Sequence, residues 1–256
     1  MKSWLLTSPV LFIIAVLFLF RSCQRETDLI LKEKADVFLN FSHQVAGQPL
    51  SYGNTYTNPL GEDFIVTKFK YYISKIRLEN ISAGTHSSLD ENYFLVDEGQ
   101  APSKKISFNT ETGNYNAVSF LLGVDSIRNV SGAQTGALDP VNDMFWTWNS
   151  GYIMAKLEGQ SSFSTLINNE IEYHIGGFKG SENVVKRIVL PFSQGIEIKN
   201  DRATSILISA DLNKWFRNTH DLPIAMNPAC VMPGNLATQY AENYSGMFQI
   251  TQIENN

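Results

Sequence analysis

Met144–Gly159 reads MFWTWNSGYIMAKLEG. Trp146 and Trp148, two of the four tryptophans, stand two apart. A turn signal follows at Asn149-Ser150-Gly151, and then a β-rich run, Tyr152–Leu157, closed by Glu158-Gly159. Residues two apart on a strand point to the same side. An extended segment would therefore set both indoles on one aromatic wall, which on its own terms is a core anchor.

The flanking sequence has the same β character. In Val37–Val45 the odd positions Val37, Leu39, Phe41, His43 and Val45 form an apolar face that includes His43. Phe64–Leu78 is rich in Val, Ile, Tyr, Phe and Thr. Further strands are expected at Tyr93–Val96, Ile106–Asn109, Ala117–Val124, Asn169–Ile175, Val184–Leu190, Ile196–Lys199, Thr204–Ala210 and Met247–Ile253. Residues 80–92 are expected as a polar hairpin tip, and 125–143 as a loop with a helical turn. Short helices are expected at Asp211–Phe216 and Ala237–Tyr244. Short strands separated by turn signals predict an all-β domain, a β-sandwich or barrel, with short helical turns in its long loops.

The 256 residues contain 12% aromatic and 18% charged side chains, which excludes a disordered chain or a coiled coil. No Lys/Arg cluster interleaves with aromatics, so nucleic acid is not an expected partner. Lys2, an apolar run from Trp4 to Phe20, and Arg21-Ser22-Cys23 describe an export signal. The small residue before Cys23 resembles a lipobox, although Arg21 departs from the usual pattern, and a retained membrane anchor is the alternative. The expected organisation is a lipoprotein signal peptide at 1–22, a tether at 23–34 anchored to the lipid membrane through Cys23, and a β domain at 35–256. The expected location is extracytoplasmic, in the outer membrane or periplasm. Cleavage before Cys23 removes Lys2 and Arg21, leaving 18 basic against 25 acidic residues, a net charge of −7. With Cys23 lipidated, Cys230 has no cysteine partner.

The zinc-site spacings, the nucleophile elbow and the phosphate loop are all missing from the sequence. No catalytic residue is assigned, and the chain is read as a binding protein rather than an enzyme. Of the four histidines, His86 and His220 lie in polar surroundings. His43 alone is most simply a core histidine. His174 shares its face with Glu172, opposite the apolar residues, and alone is most simply a surface one. Met226, Cys230 and Met232 are ligand types that suit Cu(I), but packing against a core edge accounts for them more simply.

Taken together, Leu39–Val45, Tyr56–Thr67, Tyr71–Leu78, Met144–Tyr152 with Glu158-Gly159, Tyr173–Gly177 and Asn243–Phe248 resemble the MbnP family, extracytoplasmic proteins associated with methanobactin operons and similar to CorA/MopE proteins. The resemblance spans nearly all of residues 36–253. It implies a mainly β domain that binds copper, as Cu(I), through two histidines and a kynurenine made by oxidising a tryptophan. By motif position these are His43, His174 and one of Trp146 and Trp148, with Trp146 favoured. It also implies a partner, a dihaem enzyme of the cytochrome c peroxidase type similar to MbnH. Glu172 is the expected support for His174. The competing expectation is a metal-free β-sandwich module that binds glycan or protein through the Trp146/Trp148 wall.

Overall fold

In the computed structural model, residues 33–132, 134–147 and 150–255 are described, apart from the side chains of Asp90 and Thr147. The signal peptide, most of the tether, Cys23 and Trp148 lie outside these residues.

Two sheets stack face to face. The smaller has strand order β14-β12-β1-β2, with β6 also on β1: β1 is Lys34–Val45, β2 Gln48–Pro49, β6 Lys105–Glu111, β12 Thr204–Asp211 and β14 Phe248–Asn255. β1 and β12 run parallel, with Val37 opposite Thr204. The larger sheet has order β11-β7-β4-β9-β10-β13. Its strands are β4 (Asp63–Asn80), β7 (Gly113–Leu122), β9 (Gly151–Gln160), β10 (Glu170–Gly176), β11 (Lys186–Ile198) and β13 (Ala229–Cys230). β3 (Thr55–Thr57) and β5 (Thr85–Asp97) also pair with β4, and β8 (Phe145–Thr147) pairs with β9. The expected all-β sandwich is the architecture found.

The core forms where the alternating faces meet. On β1 the odd positions from Val37 to Val45 are buried, and each large apolar side chain there is worth about 1.5–3 kcal/mol of burial. Phe41 meets the rings of Tyr71, Phe120 and Phe248 edge-on, joining the two sheets. The other face of the larger sheet is covered near its middle by the 125–143 loop. Tyr72 and Tyr152 donate hydroxyl hydrogens to the Ala137 and Leu138 carbonyls (3.0 and 2.7 Å). This cover explains why β9 is buried on both faces through Leu157.

Three segments differ from their sequence reading. Residues 85–92 are strand, with only 81–84 in a turn. Thr85–Ser88 face solvent, so no apolar alternation marks them. The two strands expected at Val184–Leu190 and Ile196–Lys199 are replaced by one, β11 (Lys186–Ile198), whose register against β7 slips between Pro191 and Ile196. Glu158-Gly159 does not end β9, which continues to Gln160. Gly159 is required because a Cβ there would lie 1.8 Å from the Ile65 carbonyl oxygen of β4.

Candidate metal centre

The two expected histidine ligands occupy different regions. His43 lies on the inner face of β1, its side chain fully enclosed, edge-on to the rings of Phe69 and Tyr71 from β4. Both ring nitrogens are in use. Nδ1 donates to Glu98 Oε2 at 2.6 Å, which leaves Nε2 to accept the Tyr71 hydroxyl at 2.9 Å. Glu98 also accepts from Lys104 at 2.9 Å. Burial holds the His43 pKa below its ordinary value, outweighing the opposing pull of Glu98, so the ring is neutral. The Tyr71 phenol is pushed up by burial. This is a fully satisfied core histidine.

His174 stands on β10 opposite Lys156 of β9, which in turn stands opposite Lys70 of β4. Phe69 and Tyr71 flank Lys70 and point inward to His43, so Lys70, Lys156 and His174 point outward. The larger sheet therefore separates the two histidines. Stacked sheets lie about 10 Å apart, whereas an imidazole nitrogen must come within about 2 Å of a bound metal. The expected His43–His174 pair is not brought together, and His43 does not fit a metal-ligand role.

The residues around His174 make a polar cluster. Its Nε2 is 2.9 Å from Glu158 Oε1; among the described residues no hydrogen-bond partner reaches Nδ1. The expected support, Glu172, stands opposite Glu158 in register, and Glu158 makes the bond. Glu158 Oε2 also meets Lys68 Nζ at 3.0 Å. The hydrogen bond from His174 is the largest influence on Glu158, and with Lys68 it outweighs burial to lower the pKa to about 2. Asp143 bonds Lys68 and Lys156 at 3.0 and 2.9 Å. Burial acts to raise its pKa, but the two lysines bring it down to about 2. Asp143 follows the Pro140–Asn142 turn in a left-handed conformation (φ 60°), and the loop it ends leaves the Lys156 side chain only 2% exposed.

Trp146 follows three residues later on β8. It is half-buried, and its ring takes the space above Gly176, where a Cβ would fall 2.5 Å from Cζ3. Gly176 is two residues beyond His174 on β10, so Trp146 and His174 border the same outer-face region. Trp148, the other half of the expected wall, lies outside the described residues.

Among the described residues no three His, Cys, Asp or Glu side chains converge to hold a metal. The sulfur residues do not gather either: Met226 and Met232 are 79% and 72% exposed, while Cys230 is buried, its thiol raised to about 11 by that burial. His86 is exposed and His220 pairs with Glu242 at 2.6 Å. The sequence reading missed Lys68, Asp143, Lys156 and the bond made by Glu158. Its one available signal was Lys156 within the apolar run YIMAKL.

The sequence profile of the MbnP family matches residues 34–233. MbnP from Methylosinus trichosporium is similar in structure, with a TM-score of 0.52 at 14% identity over 87% of this chain and 99% of that one; at that identity the likeness shows a shared fold. No match was found among curated proteins. With most of its length covered by one family profile, this chain belongs to the MbnP family.

Proposed function

We propose that this chain is an extracytoplasmic copper-binding protein, held to a membrane through Cys23, that takes up Cu(I) on the outer face of its larger sheet. His174 is the metal-facing histidine and Trp146 the metal-facing aromatic of the two expected tryptophans. His43 serves the core. The supporting observation is that His174 has one ring nitrogen held by a carboxylate and the other without a partner among the described residues, the arrangement in which a histidine is oriented for a metal. A neutral imidazole is a donor that suits copper. Bound copper would supply a soft, low-coordinate cation to this face, and the residues present would orient His174 and shield it beneath Trp146. The protein's role is binding, and its tryptophan is the substrate of a dihaem peroxidase-type partner that converts it to kynurenine.

Titration of the full chain with Cu(I) against a competing chelator tests the reading. About one equivalent is expected to bind, and His174→Ala should abolish uptake; binding that survives in His174→Ala overturns the assignment. Mass analysis of the Trp146-containing peptide, from cells making a haem partner, should show a gain of one oxygen with loss of one carbon. An unmodified peptide would remove the kynurenine.

A further inference from the structure

Glu98, His43 and Tyr71 form one hydrogen-bonded line from the surface into the core. Glu98 Oε2 lies 2.6 Å from His43 Nδ1, and His43 Nε2 lies 2.9 Å from Tyr71 Oη. The Glu98 side chain is 13% exposed, whereas Tyr71 is fully buried. Packing alone does not call for a hydroxyl here, because the rings around Tyr71 include Phe41, Phe69 and Phe248. The other buried aromatic side chains lack such a base. The hydroxyls of Tyr72, Tyr152, Tyr173 and Tyr240 meet backbone carbonyls. Tyr244 Oη and Trp215 Nε1 have no hydrogen-bond partner among the described residues. Tyr93 meets the Asp125 carboxylate. Burial acts to raise the Asp125 pKa, but its hydrogen bonds and Lys75 lower it overall, which makes it a poor proton acceptor. Among the described residues, Tyr71 is the one buried tyrosine bonded to an imidazole.

Removing an electron from a phenol makes its proton strongly acidic, so a buried tyrosine is readily oxidised only where a base takes that proton. A neutral imidazole at hydrogen-bond distance is such a base, and burial keeps His43 neutral at rest. The imidazolium that forms is a buried charge in need of a partner, and Glu98 stands on its other nitrogen. Burial acts to raise the Glu98 pKa, but the bonds from His43 and Lys104 lower it overall, so the carboxylate is ionised. We propose that Tyr71 is a redox-active tyrosine: it gives one electron to a high-potential one-electron oxidant of the oxidised metal-complex class, while its phenolic proton passes to His43 Nε2. The oxidant gains the electron, the O–H bond breaks and an N–H bond forms. A neutral phenoxyl radical is left, hydrogen-bonded to an imidazolium whose charge Glu98 balances. A one-electron reductant reverses the step, so the inner face stores one oxidising equivalent. The step uses no residue of the His174 cluster, which makes the proposal independent of the copper reading.

The test is flash oxidation of the untagged full chain in detergent by a photogenerated Ru(III) polypyridyl complex, followed by EPR and transient absorption. The wild type should give a phenoxyl radical that lives at least about tenfold longer than any signal in Tyr71→Phe, which removes the hydroxyl and keeps the ring. His43→Gln keeps a hydrogen bond to Tyr71 but cannot take the proton. Radical formation should slow at least about tenfold in that variant and lose its dependence on D2O. Glu98→Gln removes the balancing charge at the surface end of the line, and it keeps the fold if the buried His43 substitution does not. It should slow formation by a smaller factor. A radical of wild-type spectrum and lifetime in Tyr71→Phe overturns the proposal. Formation at the wild-type rate in Glu98→Gln, or in a folded His43→Gln variant, overturns it as well.

Discussion

His43 and His174 are both strand histidines hydrogen-bonded to a glutamate, yet they sit on opposite sides of the larger sheet. His43 faces inward, spends both nitrogens on Glu98 and Tyr71, and is kept neutral by burial. His174 faces outward, spends one nitrogen on Glu158, and borders Trp146. The same side chain with a similar partner is thus a packing element in one region and a candidate ligand in the other. The difference lies in what remains unused: donor and acceptor capacity is exhausted in the core and left over on the outer face.

The largest expected effect comes from the core. His43→Ala strips Tyr71 Oη of its partner and leaves Glu98 with Lys104 alone; at about 1–3 kcal/mol for each lost bond the cost is about 2–6 kcal/mol in all. Urea denaturation should show this loss, while the folded variant keeps its Cu(I) capacity. Loss of Cu(I) binding in a still-folded variant would make both histidines ligands and break the contrast.

Acid should separate the regions next. The folded pKa of His43 is depressed, so its neutral form contributes stability fully above the unfolded value near 6.5, and that contribution falls as pH drops below it. Glu158 is depressed from 4.5 to about 2, so its contribution is present above 4.5 and lost as pH falls through 2. At 1.36 kcal/mol per unit, and discounted for partial exposure, it is worth about 2 kcal/mol. Stability against pH should therefore decline in two stages. His43→Gln should flatten the first, and Glu158→Gln the second. A profile unchanged between pH 7 and 5 in His43→Gln would contradict the neutral core histidine.

The smallest effect sharpens the outer face. Gly176→Ala places a methyl against the Trp146 ring and the Tyr152 carbonyl, an overpacking cost of about 1–3 kcal/mol. Trp146 should move, with a shift in fluorescence and weaker Cu(I) binding. Unaltered fluorescence and affinity would show that the ring does not depend on that glycine.

Much of this contrast was legible in the sequence. Alternation in Val37–Val45 placed His43 among apolar residues, and alternation in Ile171–Ile175 placed His174 opposite them. Those two facts already assign the histidines to inner and outer surfaces, and they oppose the pairing that the family resemblance implied. What alternation could not give was sheet order. That His43 would meet Phe69 and Tyr71 depends on β1 stacking over β4, and neither strand's own pattern encodes it. Asp143 reaches Lys156 only because the loop before Trp146 folds across β9, a tertiary contact without a local signature. The strand at 85–92 was hidden for a simpler reason: its backbone is paired while its side chains at the tip face water.

The parallel join of β1 and β12 has a consequence for the order of assembly. The first long strand of the domain cannot gain this neighbour until Thr204–Asp211 has been made, and the edge strand β14 comes later still. Closing so long a stretch of chain before the pairing is rewarded makes folding slow. In the interval β1 has β6 and the short β2 to pair with, but the edge that will meet β12 stays open, and an open edge of an apolar strand invites aggregation. A topology of this kind keeps the nascent chain open until nearly all of it exists.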